Sequence, residues 1–522
     1  MINRIYKFGG ASGLSLLLKV ILSGKAGLLM SEIKNLFTSF CNVVFPLGRP
    51  KKTFDSWDKG NCGAALNDEL VRRLNAVRPT ELQKRFADYE YYTFVHFGMN
   101  TCTGNEWGTG KEKPEQFDIA DVDTDQWARV IKKSGSRGVI FTAKHHDGFC
   151  LFPSAYTGHC IKNSPYKNGK GDIVKELSES CKKFGLLFGV YLSPWDRHES
   201  TYGTKGYDDY FVNQLTELCT NYGDIFAFWF DGAKGQDAPD FTYDFERYYK
   251  VIRSLQPGAA ICNCGPDVRW IGNEAGRVRE SEWSVIAKNA VSVEEVMKGS
   301  QQDAGEAQAL QSFDRCEQDL GSRQALSSRR QLVWSQGEAD VSIHMNWFYS
   351  PHPRPRTARQ LEKIYFRTVG KNALLLLNVP PSKNGIIEPD DVKLLEDFKN
   401  RVDKAFCKRL LFSAATERAK MAPGFENCRL QKGDGALIFS LPKKQRVRTL
   451  VIREDTSFGQ RIERFEIYFK APLGFRKVYT GTTVGSKRIV RFPPCAGTDE
   501  IRFVITQSRS SPVIRDAALY GG

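Results

Sequence analysis

The sequence predicts an α/β protein: a (β/α)8-type barrel followed by a small antiparallel β-sandwich. Three observations point there. From about residue 85, short apolar segments rich in Phe, Val, Ile and Leu alternate with amphipathic stretches of helical period. These strand–helix units recur roughly every 35–45 residues in a single run, which suggests a parallel sheet closed into a barrel. Beyond about residue 403 the pattern changes to short β-type runs separated by Gly, Pro and charged turns, as in a sandwich.

In chain order, the strand segments are Tyr92–Phe97, Gly138–Ala143, Leu186–Leu192, Ile225–Phe230, Ala259–Cys264, Asp340–His344 and Ala373–Asn378. Between them Thr124–Ser134, Ile173–Phe184, Asp208–Asn221, Phe245–Leu255 and Thr357–Val369 carry the helical period. No Gly-rich phosphate loop follows the first strand, which weakens a doubly wound alternative. Residues 1–80 read as a leader or extension and 81–402 as the barrel. Residues 290–333, polar and without a period, read as an insertion or long loop. Residues 403–522 form the second domain, with strands at Ala436–Leu441, Val447–Arg453, Phe465–Phe469 and Ile501–Ile505.

The length of 522 residues exceeds what one core usually serves, and 41% hydrophobic residues suffice for two. The net charge of +15 lies in the two flanks, whereas the centre is mildly acidic. With no nucleic-acid-binding signature beside it, this basic excess reads as solvated surface. Thirteen cysteines without a CxxC pair argue against a zinc knuckle or redox motif. Residues 1–31 hold no acid, and Lys19 interrupts the apolar run at Leu14–Leu18. Secretory signal and organelle presequence both fit, and the run is too short and charged to span a membrane stably.

The chemistry is expected where apolar strands end abruptly in polar groups: His96; His145 and His146; Tyr191, Trp195 and Asp196; Asp231. In a βα barrel all C-terminal strand ends share one mouth, so residues distant in sequence converge there. Asp231 follows the run Ile225–Phe230 directly, and Gly232 lets the backbone turn away behind it. An Asp at a strand end also caps helices, so its company decides between the two. Glu106 and Trp107 stand in a glycine-rich loop, suited to accepting from hydroxyls and stacking on a sugar face. Lys144-His-His-Asp147 could suggest a metal site. Adjacent residues on an extended strand point apart, however, and histidines donating to hydroxyls fit without a metal. A glycosidase needs a second carboxylate at the mouth; Glu274, in a Gly-flanked loop, is preferred over Glu280 and Glu282. On these residues alone another retaining glycosidase, a non-catalytic sugar binder and a metal-dependent hydrolase stay open.

The segments HFGMNTCTGNEWGTG, FTAKHHDGFCLFPS, KNSPYKNGKGDIVKEL, FGVYLSPWDR, NYGDIFAFWFDGAKG, GPDVRWIGNEAG with ESEWSV, EADVSIHMNWFY and NALLLLNVPP occur in this order. Together they resemble the α-L-fucosidases of glycoside hydrolase family 29. The GNE loop and the FDGAKG segment look more like the subfamily specific for α-1,3/1,4-linked fucose. The resemblance implies a retaining double displacement with Asp231 as nucleophile and Glu274 as acid/base. It implies a fucose pocket lined by His96, Glu106, Trp107, His145, His146, Tyr191 and Trp229. Trp195, Asp196, Arg269 and Trp283 are implied to contact fucose or the adjoining sugars. Neither metal nor organic cofactor is called for. The implied substrate is a fucosylated oligosaccharide or glycoprotein, met by a secreted or lysosomal enzyme.

Overall fold

A computed structural model describes residues 64–235, 238–300, 318–416, 428–430, 436–494 and 497–522. The charged apolar run near the N-terminus and the middle of the 290–333 segment lie outside the described residues.

Eight parallel strands close into a barrel. They are β1 (Tyr91–Val95), β2 (Gly138–Lys144), β3 (Leu187–Leu192), β4 (Ala227–Phe230), β5 (Ala260–Asn263), β6 (Val268–Trp270), β9 (Gln336–Ser342) and β10 (Leu374–Asn378). β7 (Val285–Ala287) and β8 (Leu332–Trp334) pair as a separate antiparallel ribbon. Both faces of the barrel strands are covered, which is why they read as near-continuous apolar runs. One face packs inside with Tyr92, Phe94, Ile140, Tyr191, Trp229, Cys262 and Leu376, while the other meets the surrounding helices.

The helices begin where short polar side chains can satisfy free backbone donors. Asp123 caps Thr124–Lys133, Asp172 caps Ile173–Phe184, Asp244 caps Phe245–Leu255 and Thr357 caps Ala358–Thr368. The short helix Glu81–Ala87, with a Thr80–Gln83 capping box, closes the barrel bottom. Its Phe86 ring stacks 5.7 Å from Phe226 and meets Tyr92 edge-on at 5.3 Å.

Seven of the eight strands match the sequence reading within a few residues; β6 is the one missed. Only four residues join β5 to β6, far too few for the usual helical crossover. The chain folds straight back instead, with Asn263 at φ 62°. A Cβ on Gly265 would lie 2.4 Å from the Ile261 carbonyl oxygen, so only glycine fits this return.

Residues 64–80, expected in the leader, belong partly to the fold. The helix Ala64–Ala76 buries Leu70 and Leu74 against Val285, Leu326 and Trp334. The segment expected as an insertion is bracketed by the β7–β8 ribbon and includes the helix Val293–Ser300. That helix runs against Gly232, just past the end of β4.

The second domain is two antiparallel sheets around one apolar core. One orders β11 (Arg409–Leu410), β20 (Val513–Gly521), β15 (Val447–Glu454) and β18 (Arg488–Arg491), with β13 (Cys428–Arg429) also on β20. The other orders β12 (Ser413–Ala415), β14 (Leu437–Gln445), β19 (Thr498–Ser508), β16 (Ile462–Ala471) and β17 (Gly474–Gly481). Leu450, Ile452, Phe465, Ile467, Phe503 and Leu519 fill the space between them. The sandwich is bound to the barrel by Arg453 and Lys487 on Glu90, and by Arg509 lying 3.8 Å over the Trp283 ring.

Candidate active site

The strand ends of β1 to β4, the loop after β6 and the loop after β9 supply the groups at the barrel mouth. Asp231, with a side chain 20% exposed, follows β4. Tyr191 donates its hydroxyl to Asp231 Oδ2 at 2.9 Å, and the Ala233 amide donates to Oδ1 at 2.9 Å. His146 Nε2 stands 3.9 Å from Oδ2. Behind the acid, the Trp229 ring lies parallel to Tyr191 with centroids 5.6 Å apart.

Three histidines line the same space and are buried. Burial lowers the pKa of His96 to about 3 and of His146 to about 4, and drives His145 well below its ordinary value. All three are therefore neutral near pH 7. Their partners assign the tautomers. Asn378 spends its N–H groups on Ser342 Oγ and the Trp347 carbonyl, so its oxygen accepts from His96 Nδ1 at 2.9 Å. Ser193 donates to the Trp195 carbonyl at 2.6 Å, so its oxygen accepts from His146 Nδ1 at 2.7 Å. Both histidines then present an unprotonated Nε2, an acceptor suited to a hydroxyl donor.

Glu274 reaches the mouth from the loop after β6. The residue is half-buried, but its carboxyl is enclosed by protein. Burial raises its pKa to about 7; the indole of Trp347 counters this, and the negative charges of Asp231 and Glu106 add to it. Trp347 donates its indole N–H to Glu274 Oε2 at 3.3 Å and its backbone N–H to Glu106 Oε1. Its ring lies 5.1 Å from that of His96. Glu106 is also pushed upward by burial. Trp107 completes the rim, edge-on to His146 at 5.8 Å and to Trp195 at 5.3 Å.

The mouth thus gathers Asp231, Glu274, His96, Glu106, Trp107, His145, His146, Tyr191, Trp195 and Trp229. Five expected or rival residues lie elsewhere. Arg269 points out of the barrel from β6, where it pairs with the fully buried Glu282 and donates to the Trp283 carbonyl at 3.0 Å. Trp283 is covered by Arg509 of the sandwich. Glu280, 62% exposed, pairs with Lys371 and Arg488 at the domain junction. Burial would raise its carboxyl, but those two cations hold it below the usual range. Asp196 sits behind the mouth, fully buried and 2.8 Å from Lys144 Nζ.

Among the described residues no three His, Cys, Asp or Glu side chains are grouped to hold a metal ion. A groove of about 690 Å³ opens at the opposite end of the barrel, but Lys84, Lys132 and Arg515 there are engaged by Glu81, the Gly185 carbonyl and Asp88. The converging acids, and not the size of a cleft, mark the chemistry.

A sequence-family model described as alpha-L-fucosidase matches residues 73–403, more than half of the chain. The chain belongs to the α-L-fucosidase family. It is a glycoside hydrolase, 37% identical over 449 residues to α-L-fucosidase 1 of Arabidopsis thaliana, covering 82% of this chain and 84% of that one. The fold matches a solved Bacteroides ovatus structure with TM-score 0.77 and 36% identity, over 88% of this chain and 76% of that one. A Ruminococcus gnavus family 29 fucosidase solved with fucose matches with TM-score 0.71 and 28% identity, over 85% of this chain and 95% of the other.

Within this fucosidase the sequence reading missed Trp347, Phe348 and Asn378. Phe348 packs edge-on against His96 at 5.3 Å and His145 at 5.0 Å, giving the pocket an apolar wall. Asn378 carried the same signal as the other strand ends, a polar residue closing the apolar run Leu374–Leu377.

Proposed function

We propose that the chain is a retaining exo-α-L-fucosidase acting on terminal α-1,3/1,4-linked fucose by double displacement. The observation that carries this reading is the contrast between two acids at one mouth. Asp231 accepts hydrogen bonds on both oxygens, while Glu274 is raised to about 7 by burial and by the charge of Asp231. Such a pair divides into nucleophile and proton donor.

In the first step an Asp231 oxygen attacks the anomeric carbon of fucose. The bond to the glycan oxygen breaks as that oxygen takes the Glu274 proton, leaving a fucosyl ester on Asp231. In the second step ionised Glu274 removes a proton from water, whose oxygen attacks the same carbon. The ester bond breaks, fucose departs with its configuration kept, and both carboxyls return to their starting states. Neutral His96 and His146 present acceptors to the ring hydroxyls, and Phe348 offers an apolar face for the C5 methyl.

The linkage preference rests on the likeness of the loop around Glu106 and of the segment after Asp231 to the α-1,3/1,4-specific subfamily. Fucosylated oligosaccharides or glycoproteins are the substrates on this reading, met in a secreted or lysosomal setting. The test is NMR of the first-formed anomer during cleavage of Lewis-type and α-1,2-linked fucosyl oligosaccharides. Initial release of α-fucose from the Lewis-type glycans supports the proposal. Initial β-fucose would refute retention, and faster α-1,2 cleavage would refute the linkage preference.

A further inference from the structure

Glu338 lies on the inward face of β9, beneath the mouth, with no exposure to solvent. Its barrel neighbours are β6 and β10, yet its carboxyl reaches across the interior to β4 and β1. Oε1 accepts the Trp229 indole N–H at 2.7 Å, and Oε2 accepts the Tyr92 hydroxyl. Among the described residues no cation pairs with it. An acid buried with only two neutral donors is costly, and an apolar side chain of its size would suit the barrel floor better for stability alone. Its value is therefore sought in what it holds.

What it holds leads to Asp231. The Trp229 indole is fixed in rotation by its N–H on Glu338 and by edge contact with Phe94 at 5.1 Å. The flat face so oriented lies against Tyr191, with the rings only 17° from parallel. Tyr191 in turn aims its hydroxyl at Asp231 Oδ2. Nothing else in this chain of contacts sets the azimuth of the indole as a directional bond does.

We propose that Glu338 is a positioning residue for the nucleophile, locking the Trp229–Tyr191 stack from which Tyr191 directs its hydroxyl onto Asp231. This rests on the reading of Asp231 as the nucleophile. Because the effect concerns attack at the anomeric carbon, it is independent of how readily the departing group accepts a proton.

The test uses the full chain and aryl α-L-fucosides with one good and one poor leaving group. Glu338→Met, similar in size but without acceptors, is expected to lower kcat by about 10-fold or more on both substrates, with KM changed far less. Glu338→Gln keeps an acceptor for the indole and is expected to retain most of the activity. In a Trp229→Phe background, Glu338→Met is expected to cost little more, since the bond it breaks is already gone. A kcat for folded Glu338→Met equal to wild type overturns the proposal. So does a loss that is fully additive with Trp229→Phe, or a Glu338→Gln loss as deep as that of Glu338→Met. Should Glu338→Met not fold, Trp229→Phe removes the same indole bond from its other end, and an unchanged kcat there overturns the proposal equally. Wild-type protein that cleaves no fucoside would instead sink the functional reading itself, a result distinct from all of these.

Discussion

Trp347 donates its indole N–H to Glu274 at 3.3 Å while its backbone N–H holds Glu106, so one residue of the β9 loop tethers two acids of the mouth. A hydrogen bond to a carboxyl favours the charged form, and it works against the burial that lifts Glu274 to about 7. Trp347→Phe keeps the backbone contact and removes only the indole N–H. Glu274 should then hold its proton to higher pH, and the alkaline limb of kcat/KM should move upward. A pH–rate profile of the variant checks this; a limb that stays in place, or moves down, contradicts it.

Asp231→Ala and Asp231→Asn should each lower kcat by at least about 10³-fold, since no other group replaces the attacking oxygen. Circular dichroism should show an unaltered fold, because Asp231 is partly exposed and its partners are a hydroxyl and one amide. Azide added to Asp231→Ala should restore turnover and yield a fucosyl azide of the opposite anomeric configuration. Full activity in Asp231→Asn would remove the residue from the mechanism.

The three glutamates after β6 should separate cleanly. Glu274→Ala should lose far more activity on a poor leaving group than on a good one, because only the former needs protonation. In the wild type, activity should fall as pH rises through about 7, where Glu274 gives up its proton. Glu280→Gln, which weakens the contacts of a part-exposed acid with Lys371 and the buried Arg488, should cost about 1–3 kcal/mol of stability and no turnover. Glu282→Gln leaves buried Arg269 and Arg279 without their carboxylate, and should cost about 3–5 kcal/mol in urea denaturation. Activity per folded molecule should survive that change; its loss would bring Glu282 back to the mouth.

Stability should decline between pH 6 and pH 8. Burial raises Glu274, Glu338, Asp147 and Glu454 to about 7, above their unfolded values near 4. A raised acid contributes stability that is fully present below the unfolded value and is lost as pH rises through the folded one. Below pH 6.5 the lowered histidines His96, His145, His146 and His159 oppose this slope, because the unfolded chain takes up the protons they refuse. The net fall is therefore concentrated above pH 6.5, at up to about 1.4 kcal/mol per pH unit for each unbalanced proton. Urea midpoints measured across that range would expose the error if stability rose instead.

The sequence by itself determined the barrel and most of the mouth. Strands covered on both faces must be apolar throughout, so Gly138–Lys144 and Leu374–Asn378 stand out, and a polar residue that ends such a run has to sit at the rim. His96, His145 and Asp231 were legible for that reason. Tertiary structure decided what no local pattern encodes. β6 has three residues, too few to show a period, so the alternation that turns Trp270 inward and Arg269 outward could not be phased. Glu274, Glu280 and Glu282 are equivalent as letters in one irregular segment. Only the closed barrel faces the first toward Asp231 while the docked sandwich engages or covers the others. The hold of Glu338 on Trp229 spans 109 positions and crosses the barrel, a contact that exists only once the sheet has closed.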